Sequence, residues 1–114
     1  MPRDVWTTLC TLDELTPGLG KYVEIGGLRL AVFLDNGIVF VMDNECPHAG
    51  GSMSGGYITD GCAICPWHGW AFKLDTGALV GTWGGEQTEM LHVYKTRQLE
   101  KDGRTLVQAE LPIP

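Results

Sequence analysis

Five Gly-bearing turn signals cut this chain into short runs rich in β-branched and aromatic residues. Gly26-Gly27 separates 22–25 from 28–34, and Asp35-Asn36-Gly37 leads into 38–42. Thr59-Asp60-Gly61 joins 57–58 to 63–64, Asp75-Thr76-Gly77 lies between 70–74 and 78–80, and Lys101-Asp102-Gly103 turns 93–99 into 105–110. Tight hairpins need positive φ at their central residues, where Gly, Asn and Asp cost least. Short strands punctuated in this way predict an all-β fold, an antiparallel sandwich or partial barrel. The one helix signal is Thr11-Leu12-Asp13-Glu14, a capping box that Pro17-Gly18 ends within about a turn.

At 114 residues the chain has the length of one domain, so 1–114 is expected to fold as a unit. Its middle, about 44–85, differs from its ends. It holds ten of the 16 Gly, three of the four Cys, two of the three His and three of the four Trp. That enrichment predicts a loop-rich, site-bearing subdomain inserted in a β base. The net charge of −6, from 14 acidic and 8 basic side chains, argues against nucleic acid and anionic membrane surfaces as partners. The apolar runs at 30–34 and 38–42 are too short to span a bilayer. Met1-Pro2-Arg3-Asp4-Val5-Trp6 has no apolar core or cleavage site, so the expected location is cytoplasmic. In a reducing compartment the four cysteines are expected to be ligands or buried thiols rather than disulfides.

Two segments carry the chemistry: Cys46-Pro47-His48, then sixteen residues, then Cys65-Pro66-Trp67-His68. Thiolate and imidazole suit Fe, Zn or Cu. A zinc finger usually places two Cys in one arm and two His in the other. Here each arm offers one of each, which suits a two-iron cluster with both thiolates on one iron and both imidazoles on the other. Each Cys is followed by a Pro that stiffens its loop, and each His by glycines (Gly50, Gly51 and Gly69) that let the backbone come close.

Cys46-Pro47-His48-Ala49-Gly50-Gly51 and Cys65-Pro66-Trp67-His68-Gly69-Trp70 resemble the two cluster-binding boxes of the Rieske family. The segment Trp70-Ala71-Phe72-Lys73-Leu74-Asp75-Thr76-Gly77 is similar to the strand and turn that follow the second box. The resemblance implies a Rieske fold and one [2Fe–2S] cluster per chain. Cys46 and Cys65 would ligate the inner iron, and His48 and His68 the outer, near the surface. With neutral imidazoles the oxidised cluster and its two thiolates sum to zero charge, whereas an all-thiolate cluster starts at minus two. Adding an electron is therefore easier here.

The family's high-potential branch has an additional Cys in each box, joined as a disulfide. Gly51 and Trp67 occupy those positions here. That branch also has Ser and Tyr donors to the cluster where this chain has Trp70 and Phe72. Fewer donors place the expected midpoint in the lower part of the family's range, roughly −150 to +100 mV. Gly81-Thr82-Trp83-Gly84-Gly85 replaces the family's proline-rich cover, which makes Trp83 a candidate shield for the cluster.

Other candidates have simpler readings. Cys62-Ala63-Ile64-Cys65 is a C-x-x-C pattern, but Cys65 is committed as a ligand, so Cys62 and Cys10 are expected to be buried small hydrophobes. His92 lies in an apolar alternation and is expected to be a satisfied or surface histidine. Asp43, Glu45 and Asp60 are expected to be solvated turn residues. No glycine-rich nucleotide loop or nucleophile set is present. The resemblance implies a ferredoxin-like one-electron carrier between a flavin reductase and a terminal oxygenase, with no substrate chemistry of its own. The alternative is the small Rieske-like subunit of an assimilatory NAD(P)H nitrite reductase, partnered by its large subunit. A third reading is a non-redox interaction module stapled by zinc.

Overall fold

The computed structural model describes residues 3–46, 51–66, 69–80 and 90–113. Among them are eleven strands: β1 (Arg3–Thr11), β2 (Gly20–Ile25), β3 (Leu28–Asp35), β4 (Ile38–Asp43), β5 (Tyr57–Thr59), β6 (Cys62–Ile64), β7 (Ala71–Lys73), β8 (Leu79–Val80), β9 (Val93–Tyr94), β10 (Thr96–Lys101) and β11 (Arg104–Ile113). Single turns of 3-10 helix lie at Leu12–Glu14 and Met53–Gly55. The first is the expected capping-box turn, with the Thr11 N–H donating to Glu14 Oε2 at 2.7 Å.

Three antiparallel sheets result, ordered β1-β11-β10, β2-β3-β4-β9 and β5-β6-β7-β8. The all-β expectation holds, and so do the hairpins. The pairs Ile25↔Leu28, Asp35↔Ile38, Thr59↔Cys62 and Lys101↔Arg104 each enclose a two-residue turn. Asn36, Asp60 and Asp102 take φ of 52°, 49° and 52°, and each precedes a glycine that is also at positive φ. Asn and Asp are the non-glycine residues that tolerate this region best.

The expected strand at 93–99 is corrected. It divides at Lys95, so that β9 pairs with β4 in one sheet and β10 with β11 in another. The corner is held by the Glu110 N–H donating to the Lys95 carbonyl at 2.9 Å, and by Thr96 Oγ1 donating to the Val39 carbonyl at 2.9 Å.

The β2-β3-β4-β9 sheet is the middle layer. Residues 30–33 of β3 are all fully buried, because side chains alternate between two covered faces. Leu30, Val32, Val39 and Val41 pack with Val107, Ala109 and Leu111 of β11. Ala31, Phe33 and Met42 pack on the other side with Met53, Ala63, Phe72 and Leu74. Phe33 and Phe72 are each 0 % exposed, and burial of each contributes about 2 kcal/mol or more.

The site-side sheet is joined to this layer by close backbone contact. The Ile58 N–H donates to the Gly18 carbonyl at 2.8 Å, and Leu19 bridges to Tyr57. A Cβ on Gly20 would stand 2.6 Å from the Ser54 carbonyl oxygen, so only glycine permits this approach.

Candidate metal centre

Cys46 lies just beyond the end of β4, and Cys65 just beyond the end of β6. Each begins a loop that returns on itself. The Cys46 N–H donates to the Gly51 carbonyl at 2.8 Å, and below it Glu45 bridges to Ser52. The Cys65 N–H donates to the Trp70 carbonyl at 2.8 Å, while the Cys65 carbonyl accepts from the Gly69 N–H at 2.9 Å. Gly69 closes this second loop at φ +68°, in the left-handed region that favours glycine.

Cys46 and Cys65 are 2 % and 0 % exposed, and both belong to the core that contains Met42, Met53 and Phe72. None of the four cysteines is in a disulfide. In the second loop the described residues beyond Cys65, Pro66 and Gly69, are exposed. His48 and His68, together with Pro47 and Trp67, lie outside the described residues, as does Trp83. Among the described residues no three His, Cys, Asp or Glu side chains converge.

Two thiols buried in one core, each at the root of a closed loop whose apex carries a histidine in sequence, fit a metal centre of mixed sulfur and nitrogen ligation. Trp70 and Phe72, at the positions where the family's high-potential branch has donors, are tilted rings 6.5 Å apart. Phe72 is fully buried and has no polar atom.

The remaining candidates divide. Cys10 is buried in the base core. Burial, with Glu14 nearby, pushes its thiol up to about 11. Cys62 is half-buried rather than buried: alternation along β6 gives the core position to Ala63, and Cys62 lines a groove with Asp35, Phe40, Asp60 and Lys73. His92 is exposed and stacks edge-on against Tyr94, with centroids 4.4 Å apart. Glu45 and Asp60 are exposed as expected. Asp43 is not a solvated turn residue. It is half-buried and accepts a 2.6 Å hydrogen bond from the Tyr94 hydroxyl. Burial first, and that bond second, hold the phenol well above its usual range.

Sequence reasoning missed Asn44, which is buried between β4 and Cys46 and hydrogen-bonded to Ser52 and Ser54. No local signal marked it, because its partners lie eight and ten residues further on.

The fold and the paired loops define a small all-β protein with two cysteine-bearing loops rooted in one core, a donor pair suited to a metal centre. A sequence profile of the Rieske [2Fe-2S] domain matches residues 5–105. Apoptosis-inducing factor 3 of Mus musculus is 32 % identical over 106 residues, which cover 92 % of this chain and 17 % of that protein. A structure assigned as the small subunit of an NADH-dependent nitrite reductase from Mycobacterium tuberculosis superposes with a TM-score of 0.77 and 31 % identity, over 92 % of this chain and 95 % of that one. The ferredoxin of Sphingomonas yanoikuyae B1 gives 0.76 and 27 %, over 95 % and 100 %. The chain belongs to the Rieske [2Fe-2S] domain family, and the cofactor this implies is a Rieske-type [2Fe–2S] cluster. It spans only a small part of the mouse relative's length. No helix among the described residues is long and apolar enough to cross a membrane.

Proposed function

We propose that this chain is a one-electron carrier of the ferredoxin type, folded as one Rieske domain, with Cys46, His48, Cys65 and His68 as its cluster ligands. Bound there, a [2Fe–2S] cluster supplies one-electron oxidation and reduction. The observation that carries the reading lies at the roots of the two loops. Their cysteines sit in the core, and the described residues that flank His68 are exposed. Buried thiols keep water from the inner side, and the exposed flanks of the second loop leave room for a partner to approach.

The partner class is a redox protein, and the finer assignment is a flavin reductase on one side and an oxygenase on the other. The net charge of −6 suits a basic docking face. Likeness to the structure assigned as a nitrite reductase small subunit supports the second reading, a subunit of that enzyme.

The test begins with anaerobically purified protein. About two irons and two acid-labile sulfides per chain, a reduced-state EPR signal of mixed His/Cys type and a midpoint between roughly −150 and +100 mV are expected. Zinc without sulfide would overturn the reading. Electron delivery to an oxygenase supports the carrier, and stable association with a nitrite-reducing large subunit supports the alternative.

A further inference from the structure

A buried polar side chain outside the proposed ligand set ties the Cys46 loop together. Asn44 is 9 % exposed and stands two residues before Cys46. Its Oδ1 accepts from the Ser54 backbone N–H at 2.9 Å, and its Nδ2 donates to Ser52 Oγ at 3.1 Å. Ser52 Oγ is also 3.3 Å from Oδ1 and 3.0 Å from Ser54 Oγ. The Asn44 backbone is engaged as well: its N–H donates to the Arg29 carbonyl on β3 at 2.9 Å, and its carbonyl accepts from the Met53 N–H at 2.7 Å.

One residue thus links the middle sheet, the outgoing limb of the loop and the returning limb. Above it the limbs are joined by the Glu45–Ser52 bridge and the bond between Cys46 and Gly51. An amide suits the position because it is acceptor and donor at once. Ala would satisfy neither Ser54 nor Ser52. A carboxylate would keep the acceptor, and the Ser52 hydroxyl could turn to donate to it.

We propose that Asn44 is a positioning residue: it sets the spacing of the two limbs and thereby the place of the Cys46 sulfur in the metal centre. This rests on the reading of Cys46 as a ligand. Partners behind a ligand act on metal retention rather than on the fold alone, and that separates the proposal from a purely structural role.

The experiment measures iron release from the holoprotein into excess chelator under native conditions, beside the melting temperature of each variant. Asn44→Ala is expected to release iron about tenfold faster or more, and Asn44→Asp to stay within about twofold of the parent. Val107→Ala, in the base core away from the loop, is expected to lower the melting temperature without faster release. The proposal is overturned if Asn44→Ala releases iron no faster than Val107→Ala, or if Asn44→Asp is as fast as Asn44→Ala. Should Asn44→Ala not fold, Ser52→Ala removes one of its partners: faster release supports the proposal and unchanged release overturns it. Cys46→Ser is the separate control. If it keeps its full iron and sulfide, the ligand reading fails; if it loses them while the Asn44 variants behave like the parent, only this proposal fails.

Discussion

β1, β3 and β11 run nine, eight and ten residues, whereas β5, β6 and β7 run three each and β8 two. Both sets are antiparallel and both have a fully buried core, yet they are held differently. The base rests on long ladders and on apolar side chains packed from two sheets. The site-side sheet has so little ladder of its own that it depends on what covers it. On one side that cover is Phe33 and Met42 of the middle sheet. Met53, Cys46 and Cys65 supply more of it, so with the proposed ligand set metal binding and folding are expected to be coupled in this half. A long-laddered scaffold thus carries a short-stranded half that is expected to depend on the metal.

The largest expected effect follows from that division. Stripping iron from the protein should reduce amide-exchange protection at Ala63 and Phe72 by on the order of a hundredfold, equivalent to about 2.7 kcal/mol. Val32, Val107 and Ala109 in the base should keep their protection. Exchange by mass spectrometry or NMR reads both regions in one sample. Uniform loss across the two regions would erase the distinction between them.

Glycine substitutions sharpen the same contrast. A Cβ on Gly56 would stand 1.9 Å from the Ile64 carbonyl oxygen, inside the site-side half. Nothing lies within 4 Å of a Cβ on Gly27, in the base hairpin, although its φ is +81°. Gly56→Ala is thus an overpacking mutation, expected to cost about 2 kcal/mol. Gly27→Ala meets only left-handed backbone strain, about 1 kcal/mol. Urea midpoints of the two variants should fall in that order, and the reverse order would place the tighter packing in the base.

What the sequence disclosed, and what it concealed, follows the range over which each feature is decided. Gly26-Gly27, Asn36-Gly37, Asp60-Gly61 and Asp102-Gly103 were legible as turns because positive φ is a demand made on the residue itself. The two cysteine segments stood out in the sequence because metal ligation imposes residue types at fixed spacings, and the structure puts Cys46 and Cys65 in one core. The break at Lys95 was not, since alternation along 93–99 says which residues are buried but not against which sheet. Asp43 was misjudged because its partner, Tyr94, is 51 residues away. Cys62 was misjudged because either it or Ala63 could have taken the core position, and only the packing of β6 decides between them. Asn44 escaped notice because its role depends on the loop folding back to bring Ser52 and Ser54 within reach.

The smallest expected effect concerns pH and belongs to the base alone. Cys10 and Tyr94 both lie in the base core, and both are held protonated by the fold. The Cys10 thiol is pushed from 9.0 to about 11, chiefly by burial, and the Tyr94 phenol is raised by burial and its bond to Asp43. A pKa raised on folding means that the unfolded chain loses its proton first. The stabilisation is therefore complete below about pH 9 and disappears as the pH rises through the folded values, about 11 for Cys10. The melting temperature should fall by about 5 °C between roughly pH 8 and 10.5. Cys10→Ala should remove the earlier part of that slope, and Tyr94→Phe the later part, because each deletes the titrating proton. The exchange pattern of the site-side strands should not follow this titration at its onset, since Cys10 and Tyr94 both lie in the base core. An alkaline transition that begins in β5–β8, and is unaltered by Cys10→Ala, would show that the metal-dependent half is the first to yield under base as well as under chelation.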